Sequence, residues 1–479
     1  MKKMLALMLA LVMVFGLLTG CGSDNGSKDA ETTKAAEETK APEADTKEAA
    51  ETEAPAAEKT KLTIWTLAND LDKMSKKYME ENKNVEVEVR VIEPGQYVAT
   101  TQTAIEGGDD SIDIICGEPQ MLGNMFDAGL FADLGALGGE EFKDQIVDYV
   151  YDVGTDADGV LRALSYQVTP AGFYYRRDIA EKVFGTDDPD QIYDKIFSSY
   201  DKILDAAKTL KDQGYRIFAS TAETNYFSGD SAWVVDGALN VDPSRVQYMD
   251  FSVELYQKDY TAYAAQWAAP WYAAMAGPVA ILTADLQWGN DDLNVWDKES
   301  FNKYTEGYEQ AEVFAFGLPS WGVLTMRDNC GDTAGKWGVC GGPAYGFGGG
   351  TFVGVSELSK NKEEAYKFIQ WMLSDETLNW WIVDSKGDVV SKTSVLEAHK
   401  DDENAEYGGE KMYAMWLKLA EGIDYSKVTQ YDTEIGNAWG AAIEAIQKGE
   451  KTKEDAIKGF YDKVESTYPD LKVERTLLN

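Results

Sequence analysis

Histidine is almost absent from this chain: His399 stands alone, in a polar stretch. One histidine excludes multi-histidine metal sites by count and gives no support to a histidine-based catalytic triad. Basic charge is also short. Lys and Arg number 45 against 83 Asp and Glu, for a formal net charge of −38. No basic patch interrupts the excess, so nucleic acid and anionic lipid surfaces are excluded as partners, and the charge is read as serving solubility. Cysteines are few: Cys21, Cys116, Cys330 and Cys340. After Cys21 an odd number remains, which prevents full pairing. Cys116 ends an apolar strand-like run and is expected as a buried free thiol, whereas Cys330 and Cys340 are left open as either a disulfide or two thiols. The long apolar run at residues 5–18 falls short of the roughly 20 residues that a permanent membrane span needs. No internal repeat of fixed period is visible.

What is present begins with a start characteristic of export. Lys2 and Lys3 precede the apolar run, which closes on Leu18-Thr19-Gly20-Cys21. Residues 1–20 are expected to be a signal peptide. The closing residues resemble a bacterial lipobox, which implies cleavage before Cys21 and lipid on its sulfur and new amino group, a membrane link through the anchor alone. Residues 21–60 then hold eleven acids and five lysines among Ala, Thr, Ser and Pro, with no aromatic or β-branched aliphatic side chain. Such a segment cannot bury enough apolar surface to offset its ordering entropy, and a disordered acidic tether is expected.

Residues 61–479 are rich in Trp, Tyr and Phe and long enough for two cores. Lys61-Leu62-Thr63-Ile64-Trp65-Thr66 reads as a buried strand. Leu71, Met74 and Tyr78 follow at helical spacing, then Val85, Val87, Val89 and Val91 alternate with charged residues. A helix at about 96–106 precedes the strand at 111–116, and another helix runs to Ala128. Strands alternating with helices predict an α/β fold with a mostly parallel sheet. Further strands are expected at 216–220, 278–284 and 351–355, an amphipathic helix at 361–373, and a helical tail from Lys411 onward. Asp156-Ala157-Asp158-Gly159 looks a little like a calcium loop but lacks the rest of that motif, and is read as a hairpin turn.

The ordered set of these pieces resembles the family 1 extracellular solute-binding proteins, the group that includes maltodextrin-binding proteins. The resemblance covers about residues 61–465. It rests on Leu62-Thr63-Ile64-Trp65, on Asp113-Ile114-Ile115 after Gly107-Gly108, and on the Ala128-Gly129-Leu130-Phe131-Ala132-Asp133-Leu134 segment. It continues with Gly159-Val160-Leu161-Arg162-Ala163-Leu164, where the family's usual proline is missing, and with Tyr174-Tyr175-Arg176-Arg177-Asp178, which has Arg in place of Asn. Gly277-Pro278-Val279-Ala280-Ile281, Lys360-Asn361-Lys362-Glu363-Glu364-Ala365 and the helix pair around Gly449-Glu450 complete it. The resemblance implies a two-lobed periplasmic-binding-protein-like fold with a hinge and an interlobe ligand cleft. Lobe 1 would comprise residues 61–168 plus 340–392, and lobe 2 residues 169–339 plus 393–479. The chain would cross between them near 163–168, 335–343 and 389–395. It implies a monomeric non-enzyme, without cofactor or metal, that binds a small carbohydrate and delivers it to the membrane subunits of an ABC importer.

Ligands of open α/β sheets sit at the carboxyl ends of strands. That rule selects Trp65, Asn69, Asp70, Glu118, Gln120, Thr169, Tyr174, Asp285, Trp288, Tyr345, Phe347 and Trp439 as candidate ligand-binding residues. Their chemistry suits a sugar, whose CH faces lie on flat rings and whose hydroxyls need fixed donors and acceptors. Competing roles stand beside several: core packing for Trp65, helix capping for Asn69 and Asp70, packing against the lobe for Trp439. Trp233, Trp267, Trp271 and Trp321 are further possible stacking rings. Gly346-Phe347-Gly348-Gly349-Gly350 lacks the Lys-Ser/Thr ending of a phosphate loop, so its glycines are read as allowing close backbone passage near ligand or hinge. Two other classes remain: a cell-surface carbohydrate-active enzyme with a carboxylate pair, for which no spacing stands out, and a lectin-like adhesin.

Overall fold

The computed structural model describes residues 59–229, 231–282, 297–425, 429 and 431–478. The chain divides into two units, residues 1–56 and 57–479, and the described residues all belong to the second. The expected signal peptide, Cys21, Asp285 and Trp288 lie outside the described residues, as does nearly all of the expected tether.

Alternation builds the first sheet. In β2 (Val85–Val91), Val85 and Val87 are buried while Glu86 and Glu88 are exposed. β2 runs parallel to β1 (Thr60–Thr66) in register from Thr60↔Val85 to Thr66↔Val91. β3 (Ile114–Gly117) joins the other side of β1 in parallel, at Ile64↔Ile114. The helix Asp70–Glu81 buries Leu71, Met74 and Tyr78, the spacing that predicted it. β4 (Leu164–Ser165) and a late strand complete a five-stranded sheet.

The second sheet forms around β5 (Ala171–Arg176), every residue of which is buried. Its side chains alternate between two apolar clusters: Phe173 and Tyr175 enter one, Tyr174 the other. β6 (Arg216–Phe218) follows. Two short ladders lie outside the main sheets, β7 (Val234–Val235) with β8 (Ala238–Leu239), and β9 (Val279–Ala280) with β10 (Gln310–Ala311). β11 (Val313–Pro319) and β12 (Trp337–Cys340) then give the four-stranded order β12-β5-β11-β6. β13 (Phe352–Val355) returns to the first sheet, giving the order β2-β1-β3-β13-β4.

Three stretches bring the halves together. Residues 166–170 link β4 to β5, residues 341–351 link β12 to β13, and residues 389–391 lie against the first link. They bond side by side: Val168 N–H donates to Val389 O at 2.9 Å, Ser391 N–H to Tyr166 O at 2.8 Å, and Ala171 N–H to Gly346 O at 2.8 Å. The molecule is thus a two-lobed α/β protein. One apolar cluster runs from the first sheet onto one face of the second; the other fills the second sheet's opposite face beneath helices Tyr200–Asp212, Pro243–Gln257, Asp432–Gln447 and Lys453–Thr467.

Two expectations change. Of the strand expected at 278–284, the described residues 278–282 contribute Val279–Ala280, in a short ladder, and the rest lies outside the described residues. The sheet position belongs to β11, whose seven residues are all buried. The tail is helical in pieces, Met412–Glu421, Asp432–Gln447 and Lys453–Thr467. Cys116, Cys330 and Cys340 are all buried free thiols. Among the described residues no helix is long and apolar enough to cross a membrane.

Candidate functional site

The site is built where strand ends meet the link at 341–351. On the first lobe, β3 stops at Gly117, and Pro119 starts the next helix. Glu118 occupies the N-cap position without a capping bond; its carboxylate instead accepts from Gln120 Nε2.

On the second lobe, the turn Thr221–Phe227 carries Tyr226 onto the link. A Cβ at Gly346 would lie 1.8 Å from the Tyr226 carbonyl oxygen, and one at Gly348 would lie 2.3 Å from its ring. Only glycine permits that approach. Burial pushes the Tyr226 phenol up to about 12, helped by the charges of Glu223 and Glu118 and opposed by a hydrogen bond with Gln266. Glu118 of one lobe and Tyr226 of the other are therefore within electrostatic reach.

Beside them stands an aromatic platform. Trp321 stands two residues after β11 and donates from Nε1 to Gly348 O at 2.9 Å. Its ring stacks on Trp267 at 5.6 Å and 27°. Trp267 is 44% exposed and held at φ 70°, a conformation uncommon for a bulky residue. Behind it, Trp271 lies 4.9 Å away and donates from Nε1 to Glu223 Oε1 at 2.7 Å. Gly317 N–H donates to Glu223 Oε2 at 3.1 Å. Burial pushes the Glu223 carboxyl up to about 8, against the pull of these two donors.

The remaining candidates scatter. Thr169 joins the link: its hydroxyl donates to Gly349 O at 3.2 Å and its amide to Tyr149 Oη at 2.7 Å. Phe347 packs 5.0 Å from Tyr149 and 5.9 Å from Tyr425. Asp70 accepts from Tyr166 Oη at 2.8 Å, and burial raises its carboxyl. Asn69 is the N-cap of Asp70–Glu81 but makes no capping bond. Trp65 is buried in β1 under the Arg90 guanidinium, 4.4 Å from its ring centre. Tyr174 is sealed in the core, its hydroxyl directed at the Pro319 and Ser320 carbonyls. Tyr345 is exposed and lines a cavity of about 920 Å³ on the second lobe that Glu118 does not line. Trp439 packs against Trp233 and Phe460.

Tyr226 and Gln266 were not among the sequence candidates, and neither carries a local signal, since both come from irregular segments. Trp267 and Trp321 appeared there only as further stacking rings. Trp321 carries a usable signal, its place two residues after β11, but Val313–Pro319 is not among the strands expected from the sequence. Among the described residues no group of three or more His, Cys, Asp or Glu is placed to hold a metal ion.

No curated protein sequence matches the chain. Solved structures do. A crystal structure of an extracellular solute-binding protein of family 1 superposes with a TM-score of 0.69 at 18% identity, covering 85% of this chain and 99% of that one. The galacto-N-biose/lacto-N-biose I-binding protein of the ABC transporter from Bifidobacterium longum, in complex with lacto-N-biose, gives 0.65 at 16% identity, covering 88% and 100%. The ABC transporter associated binding protein from B. animalis subsp. lactis, in complex with β-1,6-galactobiose, gives 0.61 at 16% identity, covering 87% and 100%. At these identities the likeness speaks for the fold. The family model described as bacterial extracellular solute-binding protein matches residues 73–407. By that match, the chain belongs to the bacterial extracellular solute-binding proteins.

Proposed function

We propose that this protein captures a sugar between its lobes outside the cytoplasm and delivers it to an ABC importer. One observation carries the reading: the stacked Trp267–Trp321 pair stands beside the glycine link, with Tyr226 and the Glu118–Gln120 pair at the same link. Flat rings take the CH faces of a sugar, and the carboxylate and amides take its hydroxyls. Sugar-binding neighbours of ABC transporters with the same fold support it. In this reading, lobe 1 comprises residues 61–168 plus 340–392, and lobe 2 residues 169–339 plus 393–479. Sugar bridging both lobes favours the closed form by the contacts made only there, with the three stretches as hinge. The mature chain is a monomer tethered through lipid on Cys21, and it is not an enzyme.

The test is calorimetric titration of the chain from residue 21, with Cys21→Ser, against neutral mono- and oligosaccharides, followed by chromatography of the recovered sugar. Saturable heat with intact sugar is expected. Cleaved sugar assigns the surface-enzyme alternative, and binding to polymer alone assigns an adhesin.

A further inference from the structure

The second lobe holds a cavity of about 780 Å³ that shares Gln266 and Trp267 with the site above. It runs along the Asp432–Gln447 helix, whose Gly436, Gly440, Ile443 and Gln447 line it at helical spacing. The opposite wall is the Thr221–Phe227 turn with Asn225, and the helix Pro243–Gln257 with Tyr248.

Two features of this cavity have no structural explanation within the fold. The first is the glycine pair. Glycine in a helix interior is disfavoured relative to alanine. Both residues are helical, and neither has the positive φ that demands glycine. Neither is crowded: a Cβ at Gly440 meets nothing within 4 Å, and one at Gly436 meets only Trp233 Nε1 at 3.9 Å. What the missing side chains leave is the cavity itself. The second feature is a buried donor. Trp439 Nε1 has no hydrogen-bond partner, although Trp439 is only 4% exposed and lines the cavity. A buried N–H without an acceptor is costly, so a ligand oxygen is the natural partner. The ionic groups nearby are already engaged: Lys448 pairs with Glu444, and the Arg245 guanidinium lies 3.7 Å from the Trp233 ring centre and donates to Ser231 O. The donor left over, the Trp439 indole N–H, is neutral, which selects an uncharged acceptor-rich ligand.

We propose that this cavity is a second sugar subsite, continuous with the interlobe site through Trp267, so that the ligand is a neutral oligosaccharide with at least one unit seated against the Gly436–Gly440 face. The inference rests on the sugar reading above. Trp267 then serves both units, and the two glycines set the chain length that the protein accepts.

The experiment titrates the chain from residue 21, with Cys21→Ser, using glucose, maltose and maltotriose, and galactose and β-1,6-galactobiose. Gly440→Leu fills the cavity, Trp439→Phe removes the indole donor while keeping a packed ring, and Gly440→Ala reports on folding alone. In the parent, the longest bound member of a series should bind at least tenfold tighter than its monosaccharide. Gly440→Leu and Trp439→Phe should lose most of that advantage and keep monosaccharide affinity, while Gly440→Ala melts no lower than the parent. If Gly440→Leu does not fold, Trp439→Phe decides. Equal affinity for monosaccharide and oligosaccharide, or folded variants that keep the oligosaccharide advantage, overturns the subsite and leaves the sugar reading intact. No heat with any of the five sugars overturns both.

Discussion

Gln167 donates from Nε2 to Asp388 Oδ2 at 2.6 Å, joining the first link between the lobes to the chain that leads into the third stretch. The same glutamine accepts from Thr351 N–H at 3.3 Å, at the end of the second link. One buried residue therefore ties the first link to the second and, through Asp388, to the third. Trp381 Nε1 adds a bond of 2.8 Å to the same Asp388 oxygen, and Val389 N–H one of 2.9 Å to the other.

Asp388 makes the hinge sensitive to pH. Burial pushes its carboxyl up to about 6, with the charge of Asp70 adding to the shift and its hydrogen-bond donors opposing it. The folded value lies above the unfolded one, so the folded protein holds the proton more tightly. Its contribution is complete below the unfolded value and is lost as pH rises through about 6. The span corresponds to about 3 kcal/mol. Urea unfolding of parent and Asp388→Asn between pH 4 and 7 should show the parent's stability falling relative to the variant's. Parallel curves would contradict it.

Gly346 tests the close passage. Its Cβ position lies 1.8 Å from the Tyr226 carbonyl, so Gly346→Ala must displace either the link or the turn. A loss of about 1–3 kcal/mol is expected from overpacking, together with weaker sugar binding. An unchanged melting temperature would mean that the approach is looser than described.

Trp267 should separate binding from folding. It is 44% exposed, so Trp267→Ala should leave the melting temperature nearly unchanged while weakening sugar affinity tenfold or more, at least about 1.4 kcal/mol. Unaltered affinity in calorimetry would remove the platform from the site.

Much of the fold was legible because alternation and helical spacing leave marks on the sequence. The valines of β2 and the Leu71, Met74, Tyr78 stripe are examples. β11 was not, because Val313–Pro319 and the run at 278–284 are both short, apolar and flanked by Gly or Pro. Only pairing decides between them. In the site, the strand-end rule selected Glu118 and Gln120, which follow β3. It misdirected at Tyr174, because β5 is buried on both faces and alternation cannot tell which side meets a ligand. Tyr226 and Gln266 arrive through irregular backbone, which has no period to read.

The anchor and tether are separable from binding in this account. Cys21→Ser should release the protein from the membrane or leave it unprocessed. A chain beginning at Lys59, just before β1, should bind sugar as the chain from residue 21 does. A tenfold loss of affinity would assign residues 21–58 to the binding unit.

The measurement closest to the central claim is small-angle X-ray scattering of the chain from residue 21, with Cys21→Ser, with and without a saturating sugar identified by calorimetry. Capture between two lobes predicts a smaller radius of gyration with sugar, and an incomplete decrease for Trp267→Ala at a fixed subsaturating concentration. A radius of gyration that stays the same at saturation would contradict closure around the ligand.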